Sequence, residues 1–153
     1  MNRARLVLLC GLPGSGKTTT GRRIAAETGG VRFCPDEWMT ALDIDLFDET
    51  FRATLEALQW ELAQELLALQ LTVIIEWGVW SRAERDVVRE RARELGARVD
   101  LVYLDVPVDV LWERLEARNA LRPGTRLFNR EELLRWVKLF EAPDADEQSL
   151  FDV

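Results

Sequence analysis

The sequence predicts an α/β fold, a three-layer sandwich in which helices cover both faces of a central, mainly parallel sheet. Short apolar segments alternate along the chain with longer amphipathic segments, the order that parallel strands and their helical crossovers require. The first of these segments, residues 6–10, is hydrophobic at every position and the others are mainly apolar, which is typical of strands buried on both faces. With 153 residues, 48% of them hydrophobic, the chain fits a single domain at residues 1–153.

The first half of the chain supplies two strands and two helices of this pattern. The strands are predicted at residues 6–10 and 31–34, and Pro35 ends the second. One helix is predicted at Lys17–Thr28, closed by two glycines, and a longer helix from about residue 48 to residue 70. Apolar residues of the longer helix recur at intervals of three and four, so we expect them to form its buried face. They are Phe51, Leu55, Leu58, Leu62, Leu66 and Leu69.

The second half supplies strands at residues 72–75 and 99–104, and helices whose N-termini are marked by capping residues. The caps are Ser81 paired with Glu84, Asp109, and Asn129 paired with Glu132. These helices are predicted to end near residues 96, 119 and 140. The acidic segment 143–148 is expected to be a loop.

Composition excludes several classes of function. Asp and Glu outnumber Lys and Arg by 27 to 20, giving a formal net charge of −7, so the chain has no general attraction for nucleic acid or an anionic membrane. No apolar run is long enough to span a bilayer, and we expect a cytoplasmic protein. Two cysteines and no histidine support neither a disulfide framework nor a zinc site. The oligomeric state is left open.

Residues 11–18 match the phosphate-binding pattern G-x-x-x-x-G-K-[ST]. The loop consists of Gly11, Leu12, Pro13, Gly14, Ser15, Gly16, Lys17 and Thr18, and Thr19 follows it in the helix. Its glycines let backbone N–H groups wrap a phosphate, and the helix N-terminus points at the same phosphates. Lys17 is expected to reach the β- and γ-phosphates, and the Thr18 hydroxyl to ligate magnesium. Because the loop lies between a buried strand and a helix, the sequence predicts a P-loop NTPase fold that binds a nucleoside triphosphate.

Two carboxylates follow predicted strands, Asp36 after the second and Glu76 after the third. The carboxyl ends of parallel strands face the ligand crevice. An acidic residue after an apolar strand is the second magnesium element of P-loop proteins, so Glu76 is a candidate metal ligand, acting through water, or a residue that acts on substrate. The alternatives are a helix N-cap at Asp36 and an ordinary polar strand end at Glu76.

The phosphate loop, with Pro13 and its Gly-Ser-Gly core, resembles that of the small P-loop kinases that include zeta toxins, chloramphenicol phosphotransferase and the phage polynucleotide 5′-kinase domain. The resemblance runs from Leu6 to about Phe140, and it implies ATP and Mg²⁺ as ligands. It also implies that Asp36 takes the proton of the acceptor hydroxyl. The family often has Arg three residues after this Asp, where this chain has Met39, so the resemblance does not extend to acceptor recognition.

Residues 116–126 resemble the Arg-rich lid of these kinases, whose arginines close over the triphosphate and stabilise the transferring phosphoryl group. Arg118 and Arg122 are the predicted catalytic and nucleotide-binding lid residues. Arg114, one turn earlier, is a further candidate for the nucleotide, and Arg126 is held in reserve. A basic helix C-terminus that complements its dipole would explain Arg118, but not the arginines beyond it.

Three further features of the sequence, a tryptophan pair, an arginine and the adenine site, either have two interpretations or are weakly constrained. Trp77 and Trp80 follow the third strand and are predicted either to line an apolar acceptor pocket or to pack in the core. Arg85 matches an Arg of the family pattern, although arginines on helices are usually solvated. The adenine site is expected near residues 140–144, and the choice of ATP over GTP follows from the resemblance alone.

These observations favour an ATP-dependent kinase that phosphorylates a hydroxyl of a small-molecule acceptor. The first alternative is a polynucleotide or RNA 5′-end kinase, which the lid pattern suggests and the net charge of −7 disfavours. The second alternative is a nucleotide-binding or slowly ATP-hydrolysing module that is not a kinase. The sequence does not identify the acceptor.

Overall fold

The computed structural model describes residues 3–121 and 126–152, and in that part of the chain a parallel sheet lies between layers of helices. The strands are β1 (Arg5–Cys10), β2 (Val31–Phe33), β3 (Thr72–Gly78) and β4 (Arg98–Tyr103). The helices are α1 (Lys17–Thr28), α2 (Pro35–Ala41), α3 (Glu49–Ala68), α4 (Arg82–Glu94), α5 (Val108–Ala120), α6 (Arg130–Leu139) and α7 (Ala145–Gln148). The strand order is β2-β3-β1-β4 and every pair is parallel, which confirms the predicted fold class.

The side chains of β1, a central strand, alternate between two apolar layers. Leu8 packs in the same cluster as Leu67 of α3 and residues of α4. Leu9, on the other face, packs with Ile24 of α1. Successive side chains of a strand point to opposite faces, so both faces of the sheet are covered, which explains why Leu6–Cys10 of β1 is apolar throughout.

The register of the sheet brings the ends of three strands to one edge. Cys10 of β1 lies opposite Gly78 of β3 and opposite Tyr103 of β4. The segments that follow parallel strands meet at their carboxyl ends and form a crevice there. The phosphate loop, Asp36 and Glu76 therefore belong to one edge of the molecule, as predicted from the strand order along the chain.

The predicted buried face of α3 is confirmed at Leu55 and wrong at Leu58, Leu62 and Leu69, while Leu66 is partly buried against the core. The buried residues of this helix are Leu55, Gln59, Ala63 and Leu67, whereas Leu58, Leu62 and Leu69 are 55%, 39% and 68% exposed. The buried stripe is set by the approach of α3 to β3, where small Ala63 allows close packing. Gln59 can be buried there because its side-chain oxygen accepts a 2.7 Å hydrogen bond from Trp77 Nε1.

Two of the three predicted N-terminal caps are present. The Ser81 capping box is present, and the Asn129 side chain accepts from the Glu132 backbone N–H. Asp109 does not cap α5, because Pro107 holds the N-cap position and Asp109 lies in the first turn. The acidic segment predicted to be a loop contains the short helix α7. No helix in the two described ranges is long and apolar enough to cross a membrane.

Candidate functional site

The phosphate loop connects β1 to α1 in the conformation that its glycines permit. Gly14 and Gly16 have φ angles of 84° and 97°, in the left-handed region that side chains disfavour. Gly16 is the N-cap of α1 and provides no side-chain hydrogen bond to the first turn. The buried Ser15 hydroxyl has no hydrogen-bond partner among the described residues. Free donors at a helix N-terminus are what a phosphate group requires.

Lys17 folds back over this loop. Its Nζ donates hydrogen bonds of 3.1 Å to the Gly11 carbonyl and 3.0 Å to the Leu12 carbonyl. Burial lowers the pKa of Lys17 to about 8, and the charge of Asp36 acts in the opposite direction while that of Arg118 reinforces the decrease. The charges of Asp36 and Arg118, which belong to two separate segments, thus both influence the pKa of Lys17.

Glu76 lies within β3, two residues before its last residue Gly78, and not after the strand as predicted. Its side chain is 1% exposed. Its Oε2 accepts a 2.6 Å hydrogen bond from Arg32 Nε, while its Oε1 is buried without a partner in the described part of the chain. Burial raises the pKa of Glu76, and the hydrogen bond and charge of Arg32 oppose that increase. A hydroxyl and an unpaired carboxylate oxygen beside a phosphate loop are hard ligands of the kind that Mg²⁺ prefers. Thr18 and Glu76 therefore fit a magnesium ion held partly through water.

Gly21 is a residue of this site that sequence reasoning missed. A Cβ atom at this position of α1 would lie 2.5 Å from Glu76 Oε2, so only glycine lets the carboxylate approach the helix. The sequence signal was weak, because a glycine inside a helix usually only lowers helix propensity.

Asp36 lies in the first turn of α2, whose N-cap is Cys34, so Asp36 is not the cap. Its side chain is 51% exposed, and its Oδ1 lies 2.7 Å from a guanidinium nitrogen of Arg52 on α3. Arg52 also donates a 2.9 Å hydrogen bond to the Leu46 carbonyl. Met39, at the position of the family Arg, is fully buried. The guanidinium beside Asp36 therefore comes from a different helix, a contact that sequence spacing does not reveal.

The lid arginines have different surroundings. Arg114 donates a 2.9 Å hydrogen bond to the Gly14 carbonyl, so it contacts the phosphate loop directly. Arg118 lies in the last turn of α5, and Arg122 lies outside the described residues. Arg126 is paired with Glu132 at 2.8 Å and stacks on the Phe47 ring.

Most of the remaining aromatic residues pack against the core. Trp77 packs edge-on against Trp60 and Trp80 packs against Trp136. The core-packing interpretation is therefore the better one for this pair. Trp38 is 37% exposed and lies close to Asp36 in α2.

A cavity of about 160 Å³ lies beside the phosphate loop. It is bounded by the end of β4, the first turns of α5 and the end of α6 and is lined by Leu12, Tyr103, Leu104, Asp105, Val106, Val108, Leu111, Val137 and Phe140. The predicted adenine segment 140–144 thus touches the cavity at its first residue. Every lining residue except Asp105 has an apolar or aromatic side chain.

A protein-family model described as an AAA domain matches residues 6–143. The chain belongs to this family of small P-loop kinases. It is similar to a shikimate kinase of Corynebacterium glutamicum, with 32% identity over 105 residues that cover 68% of this chain and 60% of that kinase. The aligned region thus spans less than two thirds of the length of this curated relative.

Solved structures of kinases share the fold. A sugar kinase from Janibacter sp. HTCC2649 is 28% identical with a TM-score of 0.65, over 94% of this chain and 82% of that one. A chain of the Pnkp1/Rnl/Hen1 RNA repair complex has a TM-score of 0.77 at 21% identity, over 99% of this chain and 47% of that one. At 21% identity the second likeness shows the fold alone.

Proposed function

We propose that this chain is a phosphotransferase that moves the γ-phosphate of Mg-ATP to a hydroxyl of a small-molecule acceptor. The observation that carries the proposal is the phosphate loop itself, whose Gly11 and Leu12 carbonyls accept from Lys17 and whose Gly14 carbonyl accepts from Arg114 at 2.9 Å. Two cations therefore lie on the loop that would hold the triphosphate. Phosphoryl transfer depends on this kind of positioning and charge stabilisation.

On the acceptor side, Asp36 is the proposed general base. Arg52 holds one oxygen of its carboxylate at 2.7 Å, and the half-exposed side chain leaves the other oxygen accessible to a hydroxyl. The acceptor oxygen bonds to the γ-phosphorus as the bond from that phosphorus to the β–γ bridging oxygen breaks. ADP leaves, and the hydroxyl proton passes to Asp36.

On the donor side, the loop amides, Lys17, Arg114 and Arg118 bind the triphosphate. Arg122 stays a predicted lid residue. The cavity that Leu12 and Phe140 border is the proposed base site, because its apolar lining next to the loop suits a flat ring. Thr18 and Glu76 would hold a magnesium ion, which when bound would supply neutralisation of the charge on the phosphate oxygens.

A screen of hydroxyl-bearing metabolites and antibiotics for acceptor-dependent ADP release tests this function. Lys17→Ala is the blank, since it removes the cation of the loop while leaving the rest of the chain intact. We expect at least one compound to stimulate ADP release by wild-type protein and not by Lys17→Ala. Wild-type protein that binds ATP but transfers phosphate to no compound would instead support a nucleotide-binding module.

The screen should include single-stranded oligonucleotides with a 5′-hydroxyl. The net charge of −7 and the names of the shikimate and sugar kinase relatives support a small acceptor. Salt-sensitive oligonucleotide binding with transfer to the 5′ end would favour an RNA-end kinase.

A further inference from the structure

Arg85 of α4 is fully buried, which is unusual for an arginine and contradicts the expectation that a helix arginine is solvated. Its Nε and one terminal nitrogen pair with the Glu147 carboxylate at 2.5 and 2.9 Å. The same terminal nitrogen donates to the Glu141 carbonyl at 2.7 Å. Its other terminal nitrogen donates to the Val79 carbonyl at 2.8 Å. One side chain thus joins α4, the turn after β3, the segment after α6, and α7.

The turn after β3 has an unfavourable backbone. Gly78 has a φ of 91° and Val79 a φ of 42°. Positive φ is rare for a β-branched residue, and it persists only where the surroundings hold it. The Val79 carbonyl accepts from Arg85 at 2.8 Å and from the Cys10 thiol at 3.7 Å, so Arg85 makes the shorter of the two side-chain contacts that hold this conformation.

The same turn supports the phosphate loop. The Gly11 N–H donates a 3.1 Å hydrogen bond to the Gly78 carbonyl, and a Cβ at Gly78 would lie 2.9 Å from the Gly11 carbonyl oxygen. The first residue of the loop therefore rests directly on the turn. The Gly11 carbonyl in turn accepts from Lys17. A continuous set of hydrogen bonds runs from Glu147 through Arg85 and the turn to Gly11.

We propose that Arg85 is a positioning residue for nucleotide binding. It holds the turn at Gly78 and Val79 against Gly11 and so keeps the phosphate loop in its phosphate-binding shape. Glu147, only 2% exposed, supplies the negative charge that offsets the cost of burying the Arg85 guanidinium. The proposal rests on the nucleotide-binding half of the proposed function and does not depend on the acceptor.

Arg85→Lys tests this role, because lysine keeps the charge but cannot contact Glu147, Val79 and Glu141 together. Arg89→Lys is the matched control. Arg89 lies one turn later in α4, is 8% exposed, bonds Asp86 at 2.7 Å and stacks on Phe151, with no hydrogen bond to the turn in the described part of the chain. Both variants should lower the melting temperature.

The decisive measurement is the Kd for ADP well below both melting temperatures. We expect Arg85→Lys to weaken binding by about tenfold, the loss of roughly one loop hydrogen bond, and Arg89→Lys to change it by less than about twofold. Hydrogen exchange at the Gly11 amide should quicken only in Arg85→Lys. Unchanged ADP binding and Gly11 exchange in Arg85→Lys would overturn the proposal.

If Arg85→Lys does not fold, Glu147→Gln is the second variant, since it removes the carboxylate that orients the Arg85 guanidinium toward the Val79 carbonyl. It should weaken ADP binding by a smaller factor and quicken exchange at Gly11. Wild-type affinity in Glu147→Gln would then overturn the proposal. Failure of wild-type protein to bind ADP would count against the proposed function itself, so the two failures are distinguishable.

Discussion

Burial lowers the pKa of Lys17 to about 8, so near that pH about half of the side chains are uncharged. A triphosphate or diphosphate beside the ammonium group favours its charged form. Nucleotide binding near pH 8 should therefore take up part of a proton, and affinity should fall as the pH rises above about 8. Below that pH Lys17 is already charged and uptake should vanish.

Calorimetry of ADP binding in buffers with different ionisation enthalpies measures this proton uptake. Lys17→Met is the control, and we expect weaker binding without the uptake. Equal proton uptake by wild-type protein and Lys17→Met at pH 8 would show that another group titrates.

Arg32 and Arg22 both pair with Glu37, at 3.2 and 2.9 Å, but only Arg32 also pairs with buried Glu76. Arg32→Met leaves the Glu76 charge unpaired and should cost about 3 kcal/mol of unfolding free energy. Arg22 is 65% exposed, so Arg22→Met should cost less than about 1 kcal/mol. Urea denaturation of both variants checks the difference, and similar losses would mean that Arg32 does not stabilise the Glu76 charge.

Residues of the site were predictable where they belong to a motif of consecutive positions. Lys17 and Thr18 belong to a loop whose spacing is set by phosphate geometry, so the pattern alone located them. The contact of Arg52 with Asp36 joins two helices, and the contact of Arg85 with Glu147 joins residues 62 positions apart. Such pairs depend on how helices pack, which local spacing does not encode.

At the scale of elements, α3 provides a direct test of which face is buried. Leu67 is fully buried and Leu69 is 68% exposed, although both belong to the same leucine-rich segment. Leu67→Ala should destabilise the protein by about 3 kcal/mol because it leaves a cavity against the sheet. Leu69→Ala should change stability by less than about 0.5 kcal/mol. Thermal denaturation of the two variants measures this difference in stability. A larger loss of stability for Leu69→Ala than for Leu67→Ala would support the buried face predicted from periodicity.

Elements with local signals were predicted well, and those without them were not. The Ser81 capping box and the glycines after α1 act within one turn of chain, so they mark helix ends reliably. The buried face of α3 depends instead on Gln59 and Ala63, which no hydrophobic pattern selects. Gln59 can be buried because its side-chain oxygen accepts a hydrogen bond from Trp77 of β3.

At the scale of the whole molecule, the strand order brings together functional residues that lie far apart along the chain. The phosphate loop follows β1, Asp36 follows β2 and Glu76 lies near the end of β3, and all three strands are parallel. The alternation of strands and helices was enough to predict this arrangement. The acceptor was not predictable, because its surroundings combine side chains from α2 and α3 whose packing only the structure gives.

Asp36 is proposed to serve phosphoryl transfer and not nucleotide binding. This role is tested by measuring ADP affinity and acceptor-dependent ADP release for Asp36→Asn, with Glu37→Gln as the neighbouring control. We expect Asp36→Asn to keep nucleotide affinity within about twofold and to lose transfer by at least about a hundredfold, while Glu37→Gln retains transfer. Wild-type transfer by Asp36→Asn would contradict the proposed mechanism.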